Sequence, residues 1–133
     1  MTTEFTKILF LEDDPDLRET LTSILLGEGY DVYAATNAAD ALRELNALPD
    51  SYYLLATDLT MPEMHGTEVA ARMLRIQPKL KVLFMSGNFD DTVGQMHFPP
   101  NQVYQLSKPF SAPEFLHMVD SIRSNKTARR RAR

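Results

Sequence analysis

Four short apolar runs each end in a residue able to take part in polar chemistry. Glu12 and Asp13 follow Ile8-Leu9-Phe10-Leu11, and Asp58 comes shortly after Tyr52-Tyr53-Leu54-Leu55-Ala56. Ser86 follows Val82-Leu83-Phe84-Met85, and Lys108 comes just after Val103-Tyr104-Gln105-Leu106. Three carboxylates gathered about 4 Å apart would repel by about 4 kcal/mol per pair at an effective dielectric near 20. Such a group either keeps a proton or holds a cation. An all-oxygen ligand set favours a hard ion, and Mg²⁺ suits one or two carboxylates with water completing the shell. Spacing alone leaves a solvated turn equally open for Glu12 and Asp13. Lys108 taken singly is a neutralising ion pair, and Ser86 taken singly is a strand-end hydroxyl. Taken together, a carboxylate nucleophile, a hard metal, a lysine and a hydroxyl are the parts needed to accept a phosphoryl group and stabilise its oxygens.

These residues meet only if the elements between them bring the run ends to one edge. A fifth run, Val32-Tyr33-Ala34-Ala35, ends in Thr36-Asn37 and contributes no charge. The run starts lie 24, 20, 30 and 21 residues apart. Runs one, three and four are apolar on both faces, as parallel strands covered on both sides must be. Helical patterns fill the gaps. Asp14 caps the first, with Pro15 at its first position, a stripe of Leu17, Leu21, Ile24 and Leu25, and Gly27 and Gly29 at its end. Asn37 caps the second, which carries Ala38, Ala41, Leu42 and Leu45 and stops before Pro49. The third spans 66–76, with Val69, Met73 and Ile76 inward. Ser111 and Glu114 form a capping box opening the last, which carries Phe115, Val119 and Ile122. The fourth is short, about 89–96, because Gly94 and Pro99-Pro100 limit it. This βα alternation predicts an α/β fold: a doubly wound, five-stranded parallel sheet with helices on both faces. Ligands bind such sheets beyond the carboxyl ends of the strands, where the charged residues fall.

Composition narrows the function further. Five of the 14 basic residues lie in 126–133, which has no acid, so the preceding 125 residues hold nine bases against 18 acids, a net of −9. An acidic body argues against nucleic-acid backbone binding by the fold itself. The absence of cysteine excludes a disulfide scaffold, a thiol nucleophile and thiolate-ligated metals. No apolar run approaches the ~18 residues of a membrane span. A soluble cytoplasmic domain over 1–125, followed by a basic tail over 126–133, is the expected organisation. His65, His97 and His117 show no ligand spacing.

The chain resembles the receiver domain of two-component response regulators along about residues 5–125. The resemblance rests on Ile8 to Pro15, on Asp58-Leu59-Thr60-Met61-Pro62-Glu63-Met64-His65-Gly66, on Val82 to Gly87 and on Lys108-Pro109-Phe110. The key residues stand 45, 28 and 22 positions apart, from Asp13 to Asp58, to Ser86 and to Lys108. It implies a flavodoxin-like fold with strand order 2-1-3-4-5. It also implies that Asp58 is the phosphoacceptor, taking its phosphoryl group from a sensor histidine kinase or phosphotransfer protein. Mg²⁺ would be held by Asp13, Asp58 and the Thr60 backbone carbonyl, with Glu12 acting mainly through water. Lys108 would pair with the phosphoryl oxygens and Ser86 would hydrogen-bond one of them. Pro62 and Gly66 would shape the loop after Asp58, and Thr60 and Asn88 match positions that tune dephosphorylation. The domain would be a signalling switch with slow autodephosphorylation rather than an enzyme in the usual sense.

The family's aromatic or histidine residue three positions before the lysine is Gln105 here. Its neighbour Tyr104 points to the opposite face by strand alternation, so read-out through the fourth helix and fifth strand is expected to differ. Two other functions fit parts of the pattern. One is a receiver-like interaction scaffold that uses no phosphorylation. The other is an aspartate-nucleophile phosphohydrolase of the haloacid-dehalogenase kind, which Asp58-Leu59-Thr60 loosely resembles. The chain would be a stand-alone receiver or one cut from a hybrid kinase or larger regulator. A homodimer is compatible, the downstream protein target is open, and no membrane partner is expected. The tail is either a solvated end, a docking segment for an acidic surface, nucleic acid or membrane, or a remnant of a longer chain.

Overall fold

The computed structural model describes residues 7–89 and 92–124. The elements run β1 Lys7–Leu11, α1 Pro15–Gly27, β2 Asp31–Ala35, α2 Ala38–Ala47, β3 Leu54–Asp58, α3 Gly66–Ile76, β4 Lys81–Ser86, α4 Thr92–Gln95, β5 Val103–Ser107 and α5 Ala112–Arg123. The strands form one parallel sheet in the order β2-β1-β3-β4-β5. Chain order reverses direction across the sheet between β1 and β3, which is where the carboxyl-edge crevice of a doubly wound fold opens.

Alternation along the three central strands divides the core into two layers. Leu9, Leu11, Leu55, Val82 and Phe84 face α2, α3 and α4, where Ala41, Leu45, Val69, Met73 and Val93 meet them. Ile8, Phe10, Leu54, Ala56, Leu83 and Met85 face α1 and α5, where Leu21, Leu25, Phe115, Val119 and Ile122 close the other side. Fully burying each such side chain contributes about 1.5–3 kcal/mol. The two-faced runs therefore fix the strands in the middle of the molecule and, with them, the residues that follow each strand.

Helix boundaries follow local chemistry. The Asp14 carboxylate accepts from the Asp16 and Leu17 amides, and Pro15 occupies the first turn of α1. Gly29 adopts φ +93, which ends α1 as the backbone turns toward β2. Asn37 caps α2 through the Asp40 amide at 2.8 Å. At α5, Ser111 and Glu114 satisfy each other's amides at 3.1 and 2.7 Å.

The bounds of two elements are not set by the apolar pattern alone. The third apolar run starts at Tyr52, but β3 starts at Leu54. Tyr53 still joins the sheet's lower edge, its N–H donating to the Lys7 carbonyl and its own carbonyl accepting from Lys81. Tyr52 turns its hydroxyl onto Glu44 at 2.6 Å. Among the described residues helix α4 runs over Thr92–Gln95, short as expected, with His97 at φ +55 beyond it. The expected start of that helix includes residues 90 and 91, and the basic tail spans 126–133; both lie outside the described residues. No helix among the described residues is long and apolar enough to cross a membrane.

Candidate functional site

Four of the five strands deliver a site residue to the same end of the sheet. Glu12 and Asp13 follow β1, and Asp58 is the last residue of β3. Leu11 is paired with Thr57, so the two acidic segments leave the sheet side by side. One carboxylate oxygen from each of Glu12, Asp13 and Asp58 lies within 4.8 Å of the others. Glu12 and Asp58 are almost fully buried, at 1% and 4% exposure, whereas Asp13 faces solvent.

Lys108 reaches into this group from the end of β5. Its Nζ lies 2.5 Å from Asp58 Oδ1 and 3.4 Å from Glu12 Oε1. The following Lys108–Pro109 peptide bond is cis. One lysine cannot neutralise three acids. Burial and the contact with Glu12 push the Asp58 carboxyl up to about 8, although Lys108 pulls the other way. Burial would lower Lys108, but Asp58 and Glu12 outweigh it and raise the ammonium above its ordinary value. The donor chemistry suits a hard divalent ion: three carboxylates, partly buried, with one side open to water.

The remaining groups border this pocket. Ser86 is the last residue of β4, and its Oγ accepts from the Asn88 amide at 3.0 Å and donates to the Asn88 carbonyl at 3.1 Å. The hydroxyl is thus engaged with its own loop. Thr60 lies exposed in the loop between β3 and α3. His65 caps α3, its Nδ1 accepting from the Thr67 amide at 3.3 Å.

Gly66 begins α3 against the back of Asp58. Its N–H donates to the Leu59 carbonyl at 2.6 Å. A Cβ there would overlap the Asp58 carbonyl oxygen and lie 2.9 Å from Leu59 Cα. The loop-shaping role expected of Gly66 thus has a steric basis: backbone meets backbone directly beneath the acidic residue.

The acidic residues, the lysine and the β4 hydroxyl stand at one edge in this fold as the sequence suggested. One contact carried no sequence signal, and the close approach at Gly66 was signalled only as a loop-shaping role. Arg18 Nη1 donates to the Glu12 carbonyl at 2.8 Å. Its spacing from Asp14 places it one turn beyond the cap, but nothing in the sequence says it turns back toward the strand end. The Gly66 backbone contact is likewise tertiary. On the opposite side, Gln105 lines an open cleft of about 380 Å³ with Val93, Phe98 and Pro99. Tyr104 lies against the α1 and α5 layer of the core. The two residues therefore face opposite ways, as strand alternation requires.

The response regulator receiver domain family matches residues 8–120. The chain is a receiver domain of two-component response regulators. The receiver is 36% identical over 116 residues to the response regulator receiver protein CpdR of Brucella abortus, covering 87% of this chain and 95% of that protein. It is also 29% identical over 116 residues to the sensor kinase CckA of the same organism, covering 86% of the receiver but 12% of the kinase. Among solved structures, the receiver domain protein of Methanospirillum hungatei superposes with a TM-score of 0.80 at 20% identity, covering 93% of this chain and 98% of that one. Signalling by phosphoryl acceptance is the role this family fits, and the receiver is a signalling domain rather than a classical enzyme.

The raised Asp58 carboxyl has a stability consequence. The folded pKa near 8 lies above the unfolded value of 3.8, so the folded state holds this proton more tightly. Stability linked to Asp58 is therefore full below about pH 4 and is lost as pH rises toward 8. Without a divalent ion, Asp58→Asn is expected to melt several degrees above wild type at pH 8, with the gap closing toward pH 4. Saturating Mg²⁺ should narrow the pH 8 gap by favouring the ionised carboxylate. Thermal unfolding of both proteins with EDTA and with Mg²⁺ checks this; an Asp58→Asn protein less stable than wild type at pH 8 in EDTA contradicts it.

Proposed function

We propose that Asp58 is the phosphoacceptor of a two-component switch and that its partner is the phosphohistidine of a sensor kinase or phosphotransfer protein. The observation that carries this reading is the convergence of a buried Asp58 with Glu12, Asp13 and Lys108 at one strand edge. Glu12, Asp13 and Asp58 would hold Mg²⁺, with the Thr60 carbonyl as a further ligand. When bound, the ion supplies charge neutralisation at the phosphoryl oxygens and favours the ionised nucleophile.

A carboxylate oxygen of Asp58 attacks phosphorus as the bond from phosphorus to the donor's imidazole nitrogen breaks. The electron pair of that bond leaves with the imidazole, which takes its proton from solvent. Lys108, already on Asp58, can turn to the arriving phosphoryl oxygens, where its positive charge stabilises the charge spread over them. Ser86 can leave the Asn88 backbone to donate to one of those oxygens. This exchange of partners biases the loop after β4 toward a second arrangement, a shift in population between two states. Water later cleaves the acyl phosphate and resets Asp58, at a rate shaped by Thr60 and Asn88. The setting of this switch would be the cytoplasm.

Beryllofluoride with Mg²⁺ tests the switch without chemical turnover, because the complex imitates a phosphoryl group on a carboxylate. Amide resonances at Asp58, Ser86, Gly87, Asn88 and Lys108 are expected to shift together, and to remain in place when Mg²⁺ is withheld. An unchanged spectrum with both reagents present would favour a scaffold that does not use phosphorylation.

A further inference from the structure

The turn between β1 and α1 must aim two carboxylates while its backbone leaves the sheet. Pairing of β1 ends where Leu11 meets Ala35 and Thr57. The Glu12 carbonyl follows that last pair and takes its hydrogen bond from Arg18 Nη1 at 2.8 Å. Arg18 stands one turn into α1, its own N–H donating to the Asp14 carbonyl at 2.9 Å. Its guanidinium thus reaches backward from the helix to the strand end. The turn is pinned at two further points. The Asp14 amide donates to Glu12 Oε2 at 3.1 Å, and the Asp14 carboxylate accepts from the Asp16 amide at 3.0 Å. Asp13 lies between these anchors and is itself exposed. The orientation of the Glu12–Asp13 peptide plane, which the Arg18 hydrogen bond helps to hold, sets where the Asp13 side chain leaves the backbone.

We propose that Arg18 is a positioning residue for the cation site: by holding the Glu12 carbonyl, it aims Asp13 at the ion shared with Asp58. This rests on reading Glu12, Asp13 and Asp58 as a Mg²⁺ site. Arg18 has two opposed effects on a divalent ion. Its positive charge disfavours the ion, and its hydrogen bond holds a ligand-bearing turn in place. The sign of the change on removing it separates the two.

Calorimetric Mg²⁺ titration of wild type, Arg18→Met and Arg18→Lys tests the proposal, with thermal unfolding in EDTA to establish that each variant is folded. Arg18→Met keeps an apolar stem and loses both charge and donor. It is expected to bind Mg²⁺ about tenfold more weakly, the lower end of what removing an outer support of a metal ligand costs. Arg18→Lys keeps the charge and a donor, so its affinity should fall between the other two. Equal or tighter binding by Arg18→Met overturns the proposal, because loss of charge alone predicts that result. A wild type that binds no Mg²⁺ overturns the cation-site reading itself, and the role of Arg18 falls with it.

Discussion

Lys108→Ala is expected to take up a phosphoryl group about 10²–10³-fold more slowly than wild type at saturating Mg²⁺. The side chain contacts two buried acids, with its Nζ 2.5 Å from Asp58 and 3.4 Å from Glu12. Removing it acts twice. Glu12 and Asp58 remain adjacent with no cation from the protein, which leaves Mg²⁺ alone to hold Asp58 ionised for attack. The positive charge that would meet the incoming oxygens is also gone, and a positioned charge in a partly buried site is worth far more than one in water. A time course with acetyl phosphate, followed by intact mass, measures the rate. Lys108→Arg separates charge from geometry: it keeps the charge on a bulkier, planar group and should recover part of the rate. Uptake by Lys108→Ala at the wild-type rate would place this lysine outside the chemistry and leave it as a neutralising ion pair.

Gly66→Ala is the second large effect, and it acts through the backbone. The added Cβ would overlap the Asp58 carbonyl oxygen and stand 2.9 Å from Leu59 Cα. Neither atom belongs to a flexible side chain, so β3 or the start of α3 must move. Overpacking of this kind costs about 1–3 kcal/mol, and loss of the 2.6 Å bond from Gly66 to Leu59 adds to it. Urea unfolding should therefore show a loss of about 2–4 kcal/mol, together with impaired phosphoryl uptake because the strand end carrying Asp58 shifts. Gly94→Ala is the contrast. A Cβ there meets nothing within 4 Å, and alanine is the better helix former, so α4 should tolerate it or gain slightly. Equal stability of Gly66→Ala and wild type would show that the contact beneath Asp58 is not tight.

Both predictions concern one strand end, and they differ in how much of it the sequence discloses. The strands are legible because Ile8 to Leu11 and Val82 to Met85 are apolar on both faces, which only a doubly covered sheet tolerates. The boundaries of α1, α2, α3 and α5 are legible because Asp14, Asn37 and Ser111 cap in the expected way and Gly66 opens α3. The start of β3 is less so: Tyr52 and Tyr53 continue the apolar run, and Tyr53 still bonds through its backbone to Lys7 and Lys81, so the run extends two residues ahead of the strand. Helix α4 has too few residues to carry a periodic stripe, so its four-residue extent could not be read from pattern.

The candidate site shows the same division. Glu12, Asp13, Asp58, Ser86 and Lys108 are readable because each follows an apolar run, and a parallel sheet sends all such ends to one side. Arg18 on the Glu12 carbonyl and Gly66 against Asp58 are not readable, because each depends on the angle at which a helix leaves a strand. Gln105 falls between the two cases. Alternation sets it opposite Tyr104, but the cleft of about 380 Å³ that it lines with Gly94, Pro99 and Pro100 is a tertiary feature. Gln105 places no aromatic side chain in that cleft.

The central claim is that one carboxylate, Asp58, receives the phosphoryl group. Wild-type protein treated with acetyl phosphate and Mg²⁺, then reduced with borohydride, converts an acyl phosphate on aspartate to homoserine, which peptide mass spectrometry locates. Homoserine in place of Asp58, dependent on Mg²⁺ and on acetyl phosphate, is the predicted result. Homoserine in place of Asp13 or Asp14 instead, or none at any aspartate under conditions that phosphorylate another receiver run in parallel, would contradict it.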